Sequence, residues 1–142
     1  MVVTRGNHCA YDTHYHVVCA VKYRKALLDK DIVQYLSFLA REIQEKYEIE
    51  FEQMGCDGDH IHLLLSYHPK LSGAEVVKIF KSITARELFK KFPELKKQLW
   101  GGNFWSDGYY LATVGMRGNW SVVESYVKNQ GHKPQDYLQK LF

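Results

Sequence analysis

The chain has 142 residues, 46% hydrophobic and 25% charged, which is enough for one domain over 1–142 with a buried core and excludes a disordered chain. Its net charge is only +3, so no global field marks a nucleic-acid partner, and a local patch would have to carry that role. The three cysteines form no Cys-x-x-Cys pair, there is no charged-then-apolar signal pattern, and no apolar run is long enough for a membrane span. The expected setting is therefore reducing and cytoplasmic, with no membrane partner.

Residues 1–10 read as a loose leader. From Tyr11 to Val21 the chain is rich in aromatic and β-branched residues, which predicts a strand. Lys22-Tyr23-Arg24-Lys25 then makes a basic turn. Asp29 or Asp31 can cap a helix running to about Tyr47. Its apolar residues Ile32, Leu36, Leu39, Ile43 and Tyr47 fall on one face. Glu48 to Glu52 alternates charged and apolar, as a half-buried strand does, and this strand runs to Cys56. Asp57-Gly58 is a hairpin turn signal. A strand carrying His60 and His62 follows and ends near Tyr67, with Pro69 beyond it.

Ser72 and Glu75 have the spacing of a capping box. The helix they open turns Val76, Val77, Phe80, Ile83, Thr84 and Leu88 inward and stops by Phe92, ahead of Pro93. Asn103–Ser106 and Tyr109–Val114 read as two short strands around Asp107-Gly108. Gly115 and Gly118 flank a joint. A last helix starts at Asn119 or Ser121 and ends at Gln130, before Gly131 and Pro134. Leu138, Leu141 and Phe142 form a tail expected to pack back. The order β, α, β, β, α, β, β, α predicts an α+β fold: an antiparallel sheet with helices packed on it, a ferredoxin-like sandwich.

Two His-x-His pairs stand out. Two residues with one residue between them on a strand share a face, and neutral imidazoles so placed can hold one metal ion between them. His60-Ile61-His62 is the stronger pair, because Leu63-Leu64-Leu65 and the tight turn place it in mid-sheet. His14-Tyr15-His16 is assigned to packing or substrate contact. Two histidines do not complete a site. Tyr126 and Gln130 lie four apart on the last helix and share one face. Gln130 can offer a carbonyl oxygen to a metal, and Tyr126 a phenol oxygen as nucleophile. Alone, such a pair reads as a core aromatic and a solvated glutamine, and it is the joint occurrence with His60-Ile61-His62 that points to a site.

Taken together these residues are recognisable. The chain resembles the single-tyrosine HUH transposases of the insertion sequence 200/605 type, in which two histidines flank a bulky hydrophobic residue. The likeness runs from His16-Val17-Val18 and Lys22-Tyr23-Arg24, through Asp59-His60-Ile61-His62-Leu63, to Phe92-Pro93-Glu94-Leu95. It continues through Trp100 and Trp105 around the glycines to Tyr126-Val127-Lys128-Asn129-Gln130. The chain departs from the family in the helix after Ser72, where Lys81-Ser82-Ile83-Thr84-Ala85-Arg86 stands in place of a serine-rich stretch.

The resemblance implies an HUH, RRM-like sandwich that cleaves and rejoins single-stranded DNA at insertion-sequence ends. Tyr126 would be the nucleophile, forming a 5′-phosphotyrosine, and His60, His62 and Gln130 the metal ligands. Softness alone would favour zinc, nickel or manganese on imidazole, whereas the resemblance implies Mg²⁺ or Mn²⁺. It further implies a homodimer with shared active sites, and DNA hairpins as the recognised feature. The cleavage sequence would be read partly by pairing with a guide segment of the same strand. Candidate DNA contacts are Lys22, Arg24 and Lys25 in the basic turn, and Lys78, Lys81, Arg86, Lys90 and Lys91 on the second long helix. Alternatives are a domesticated relative acting on host repeat hairpins, a non-catalytic nucleic-acid-binding module with a structural zinc, and a metal hydrolase without a covalent intermediate.

Overall fold

A computed structural model describes residues 3–6 and 8–114. In place of a loose leader, the chain opens with a hairpin of β1 (Thr4–Gly6) and β2 (Cys9–Tyr11). The hairpin is tied down by Cys9 Sγ, 3.2 Å from His68 Nε2. Gly6 is required there, since a Cβ would lie 2.6 Å from His68 Cδ2.

The main sheet follows the β-α-β-β-α-β order. Strand β3 spans Tyr15–Ala20, helix α1 Lys30–Lys46, β4 Ile49–Asp57, β5 His60–Tyr67, α2 Gly73–Lys91, α3 Leu95–Gln98 and β6 Tyr110–Thr113. The sheet order is β4-β5-β3-β6, and every pairing is antiparallel. This is the ferredoxin-like arrangement that the sequence predicts. The hairpin turn falls at Gly58-Asp59, one residue later than expected, with Asp57 still paired to His60. Gly58 takes φ +39°, which a side chain would strain. Of Asn103–Ser106 only Trp105 pairs, in an isolated bridge to Val21. The expected last helix, with Gly115, Gly118 and the tail beyond it, lies outside the described residues.

Local chemistry sets the helix ends. Asp29 accepts from the Ile32 amide at 3.0 Å and caps α1. Ser72 accepts from the Glu75 amide while Glu75 reaches back to the Ser72 amide, so the capping box forms as read. Helix α1 buries Ile32, Leu36, Leu39, Ala40 and Ile43, but Tyr47, at its C-cap, stays exposed. Helix α2 buries Val76, Val77, Phe80, Thr84, Leu88 and Phe89, with Ile83 half-buried.

Both helices pack on one face of the sheet. Val17, Cys19, Val21, Ile61, Leu63 and Leu65 share a core with Leu36, Phe80 and Leu88. Alternation sends Val18 and Ala20, with His60 and His62, to the other face. A bulge in β4 preserves this pattern. The register shifts between Phe51 and Gln53, so Phe51 and Met54 both pack on the core although they are three apart. Glu52 is the extra residue. Its carboxylate lies 2.8 Å from His14 Nδ1, and Asp12 lies 2.8 Å from His14 Nε2.

Two outcomes follow from these contacts. Replacing Ser72 with Ala removes half the capping box and should cost about 1 kcal/mol in urea unfolding. Burial alone would lower the His14 pKa, but the bonds from Glu52 and Asp12 outweigh it and the net shift is upward. Glu52 is itself raised, since its own burial outweighs the pull of His14. His14 therefore stabilises the fold fully below its unfolded pKa of about 6.5, and less as pH rises through its higher folded value. Urea midpoints from about pH 6.5 upward should fall more steeply for the wild type than for His14→Gln.

Candidate metal and nuclease site

His60 and His62 sit on the sheet face opposite the helices, and both are fully buried. Their ring centroids are 4.9 Å apart at 73°. Strand β5 lies between two neighbours, so the pair cannot shift without breaking ladders on both sides. Opposite His62 on β4 is Gly55, which places no side chain on the histidine face at that point.

Each histidine has a supporting group. Asp59 Oδ1 lies 2.7 Å from His60 Nδ1, and Asp59 Oδ2 lies 3.2 Å from Arg24 Nε. The carboxylate therefore takes the Nδ1 proton of His60 in a hydrogen bond and leaves Nε2 as the ring's lone pair. That Nε2 is buried without a hydrogen-bond partner among the described residues, and the nearest carboxylate oxygen, on Asp57, is 3.9 Å away. A buried acceptor in this state fits a cation far better than it fits an apolar surface.

On the other side, His62 Nδ1 is 3.0 Å from His16 Nε2, with the rings stacked at 5.2 Å. Burial lowers the His62 pKa to about 3, assisted by His16 and His60. Burial likewise lowers His16 to about 4. Both rings are thus neutral at physiological pH, the form that ligates a metal. His16, assigned from sequence to packing or substrate contact, packs directly on His62 and so backs the pair. The antiparallel pairing sets this contact, which no local sequence signal shows: His16 lies opposite Leu64, two residues from His62 and on the same face.

Among the described residues no further histidine, cysteine or carboxylate joins the pair in a metal-binding group of three. Gln130 and Tyr126, the expected third ligand and nucleophile, lie outside the described residues.

The basic candidates separate into two places. Lys22 and Arg24 lie in a short turn after β3 and Lys25 closes it, beside the hairpin that carries Asp59. The Val21 amide donates to the Asp59 carbonyl at 2.8 Å, which joins turn and hairpin. Lys78, Arg86, Lys90 and Lys91 are exposed on α2, in the layer across the sheet from the histidines. Arg86 Nε bonds Glu87 at 3.1 Å, and Lys91 lies 5.4 Å from the centre of the Tyr35 ring. Lys81 differs from these. Its ammonium donates to the carbonyls of Ser106 at 2.8 Å and Gly108 at 2.6 Å, and burial lowers its pKa. Its charge is spent holding the segment that leads into β6.

Residues 9–130 match the family described as IS200-like transposases. The chain is 33% identical over 129 residues to the ISDra2 transposase TnpA of Deinococcus radiodurans, covering 91% of each chain. It is 30% identical to the transposase for insertion sequence element IS200 of Salmonella typhimurium, over 87% of this chain and 80% of that one. Its fold superposes on a crystal structure of a Deinococcus radiodurans chain assigned as a transposase, with a TM-score of 0.74, 28% identity and 96% coverage of both. A REP-associated tyrosine transposase solved with a REP hairpin shares the fold at a TM-score of 0.54 and 13% identity, over 81% of this chain and 64% of that one. With this sequence match over most of its length and a histidine pair set on the sheet face opposite the helices, the chain belongs to the IS200-like transposase family.

Proposed function

We propose that this transposase cleaves and rejoins single-stranded DNA through a covalent tyrosine intermediate, with His60 and His62 holding a divalent cation. The observation that carries the reading is the buried His60 Nε2, which has no hydrogen-bond partner among the described residues while Asp59 occupies Nδ1. With the shared proton on His62 Nδ1, that ring also presents Nε2, and Gln130 supplies an oxygen. Such a cation, Mg²⁺ or Mn²⁺ by family, would polarise the scissile phosphate and stabilise charge in the transition state.

Tyr126 Oη attacks the phosphorus, the bond to the 3′-oxygen breaks, and a 5′-phosphotyrosine forms beside a free 3′-hydroxyl. Attack by a 3′-hydroxyl on that ester reseals a strand and releases the phenol. The bond energy is conserved throughout, so no nucleotide cofactor is needed. A free phenol has a pKa of about 10, so attack at neutral pH depends on help in losing its proton. The recognised substrate feature is a hairpin on one strand, which fits the hairpin-bound member of the same fold. The working unit is a homodimer in which Tyr126 of one subunit serves the histidines of the other. No helix among the described residues is long and apolar enough to cross a membrane, and the free thiols of Cys9, Cys19 and Cys56 suit a reducing cytoplasm.

Incubation with hairpin-bearing single-stranded DNA, followed by denaturing electrophoresis, should show a protein–DNA adduct. It should vanish in Tyr126→Phe and in chelator, and return with Mg²⁺ or Mn²⁺. Cleavage without an adduct would indicate a hydrolase, and hairpin binding indifferent to Tyr126→Phe a non-catalytic module. Mixing Tyr126→Phe with His62→Ala chains tests the shared site: confirmed heterodimers should recover cleavage, and inactive ones would place each site within one subunit.

A further inference from the structure

The turn after β3 has an unusual backbone. Tyr23 takes φ +61° and Arg24 φ +55°, both left-handed and neither a glycine. Consecutive bulky residues in that region are strained, and strain of this kind persists only where surrounding contacts impose it. Here they do. The Lys22 amide donates to the Phe104 carbonyl, and the Arg24 amide to the Val21 carbonyl, both at 2.8 Å. Arg24 Nε then reaches Asp59, which holds His60.

The result is a division of labour between neighbours. The Arg24 side chain turns in toward the metal pair, while Tyr23 stands out and is 54% exposed. Lys22 Nζ lies 5.6 Å from the centre of the Tyr23 ring. Other exposed aromatics do not share this setting. Phe38 and Tyr47 belong to α1, in the layer across the sheet. Trp100 follows α3 and is joined to neither histidine by a described contact.

We propose that Tyr23 is a stacking platform for an unpaired DNA base on the single-stranded flank beside the scissile phosphate. Lys22 and Lys25 meet the phosphates on either side of that base. An aromatic face serves any base, and adjacent cations follow the backbone, which is how single strands are held without reading sequence. The link through Arg24 and Asp59 ties the turn that carries Tyr23 to His60, so a stacked base would fix where the strand crosses the metal pair. The assignment of DNA as ligand rests on the function proposed above.

The test uses the full chain and a hairpin-bearing single-stranded oligonucleotide with 2-aminopurine at each flank position in turn. Wild-type protein should quench one position strongly. Tyr23→Leu should lose that quench and bind the flanked oligonucleotide roughly fivefold to a hundredfold more weakly, with unchanged affinity for the hairpin alone. Tyr23→Trp should keep the quench. Tyr23→Gly relieves the strained φ, so it should melt at a higher temperature than wild type and still lose the quench. Wild-type quenching by Tyr23→Leu and Tyr23→Gly overturns the proposal. If the Tyr126 adduct forms while no quench depends on Tyr23, stacking fails and the cleavage reading stands. A Tyr23-dependent quench with no adduct has the opposite meaning.

Discussion

The site depends on the register between β3 and β5. Val18 lies opposite His62 and Ala20 opposite His60. Because strand faces alternate, a slip of one residue would move both histidines into the helix-packed core and turn Ile61 and Leu63 outward. That exchange is prohibitively costly. Ile61, Leu63 and Leu65 are all buried in the core with Leu36 and Phe80, and unpaired polar rings would replace them. The same hydrophobic pattern that folds the sheet therefore aims the ligands. The β4 bulge at Glu52 serves this end too, since it keeps Phe51 and Met54 on the core side while Gly55 passes opposite His62.

Burial and hydrogen bonding then fix the chemistry of the pair. Desolvation keeps His16 and His62 neutral, and the Asp59 carboxylate raises the donor strength of His60. Two imidazoles alone suit a softer ion than Mg²⁺. An oxygen from Gln130 and phosphate oxygens from DNA would harden the site.

Much of this was readable in advance, and the exceptions have physical causes. His60-Ile61-His62 was legible because alternation on a strand needs only local sequence. Helix α1 and the Ser72 capping box were legible for the same reason. What could not be read depended on contacts distant in sequence. The β1–β2 hairpin is too short to show a pattern and is held by Cys9 against His68, 59 residues away. Asn103–Ser106 has strand-like residues, but only Trp105 finds a partner there, and its indole is held by Thr84 at 2.9 Å. His16 gains its role only once β3 lies beside β5. Lys81 looked like any basic helix residue until the carbonyls of Ser106 and Gly108 came within its reach.

The separation of the two basic regions bears on how DNA would lie. The turn Lys22–Lys25 is contiguous with the histidine pair through Asp59, whereas Lys78, Arg86, Lys90 and Lys91 are across the sheet. One straight strand cannot lie against both from one side of a sheet this thin. If both bind DNA, the helix layer must meet a different part of the substrate, or a second subunit must bring that layer round to the cleavage face. A hairpin with a single-stranded flank has two such parts, and a homodimer has two such layers. In the function proposed above, charge on α2 would hold a folded end of the DNA, and the turn would align the strand to be cut.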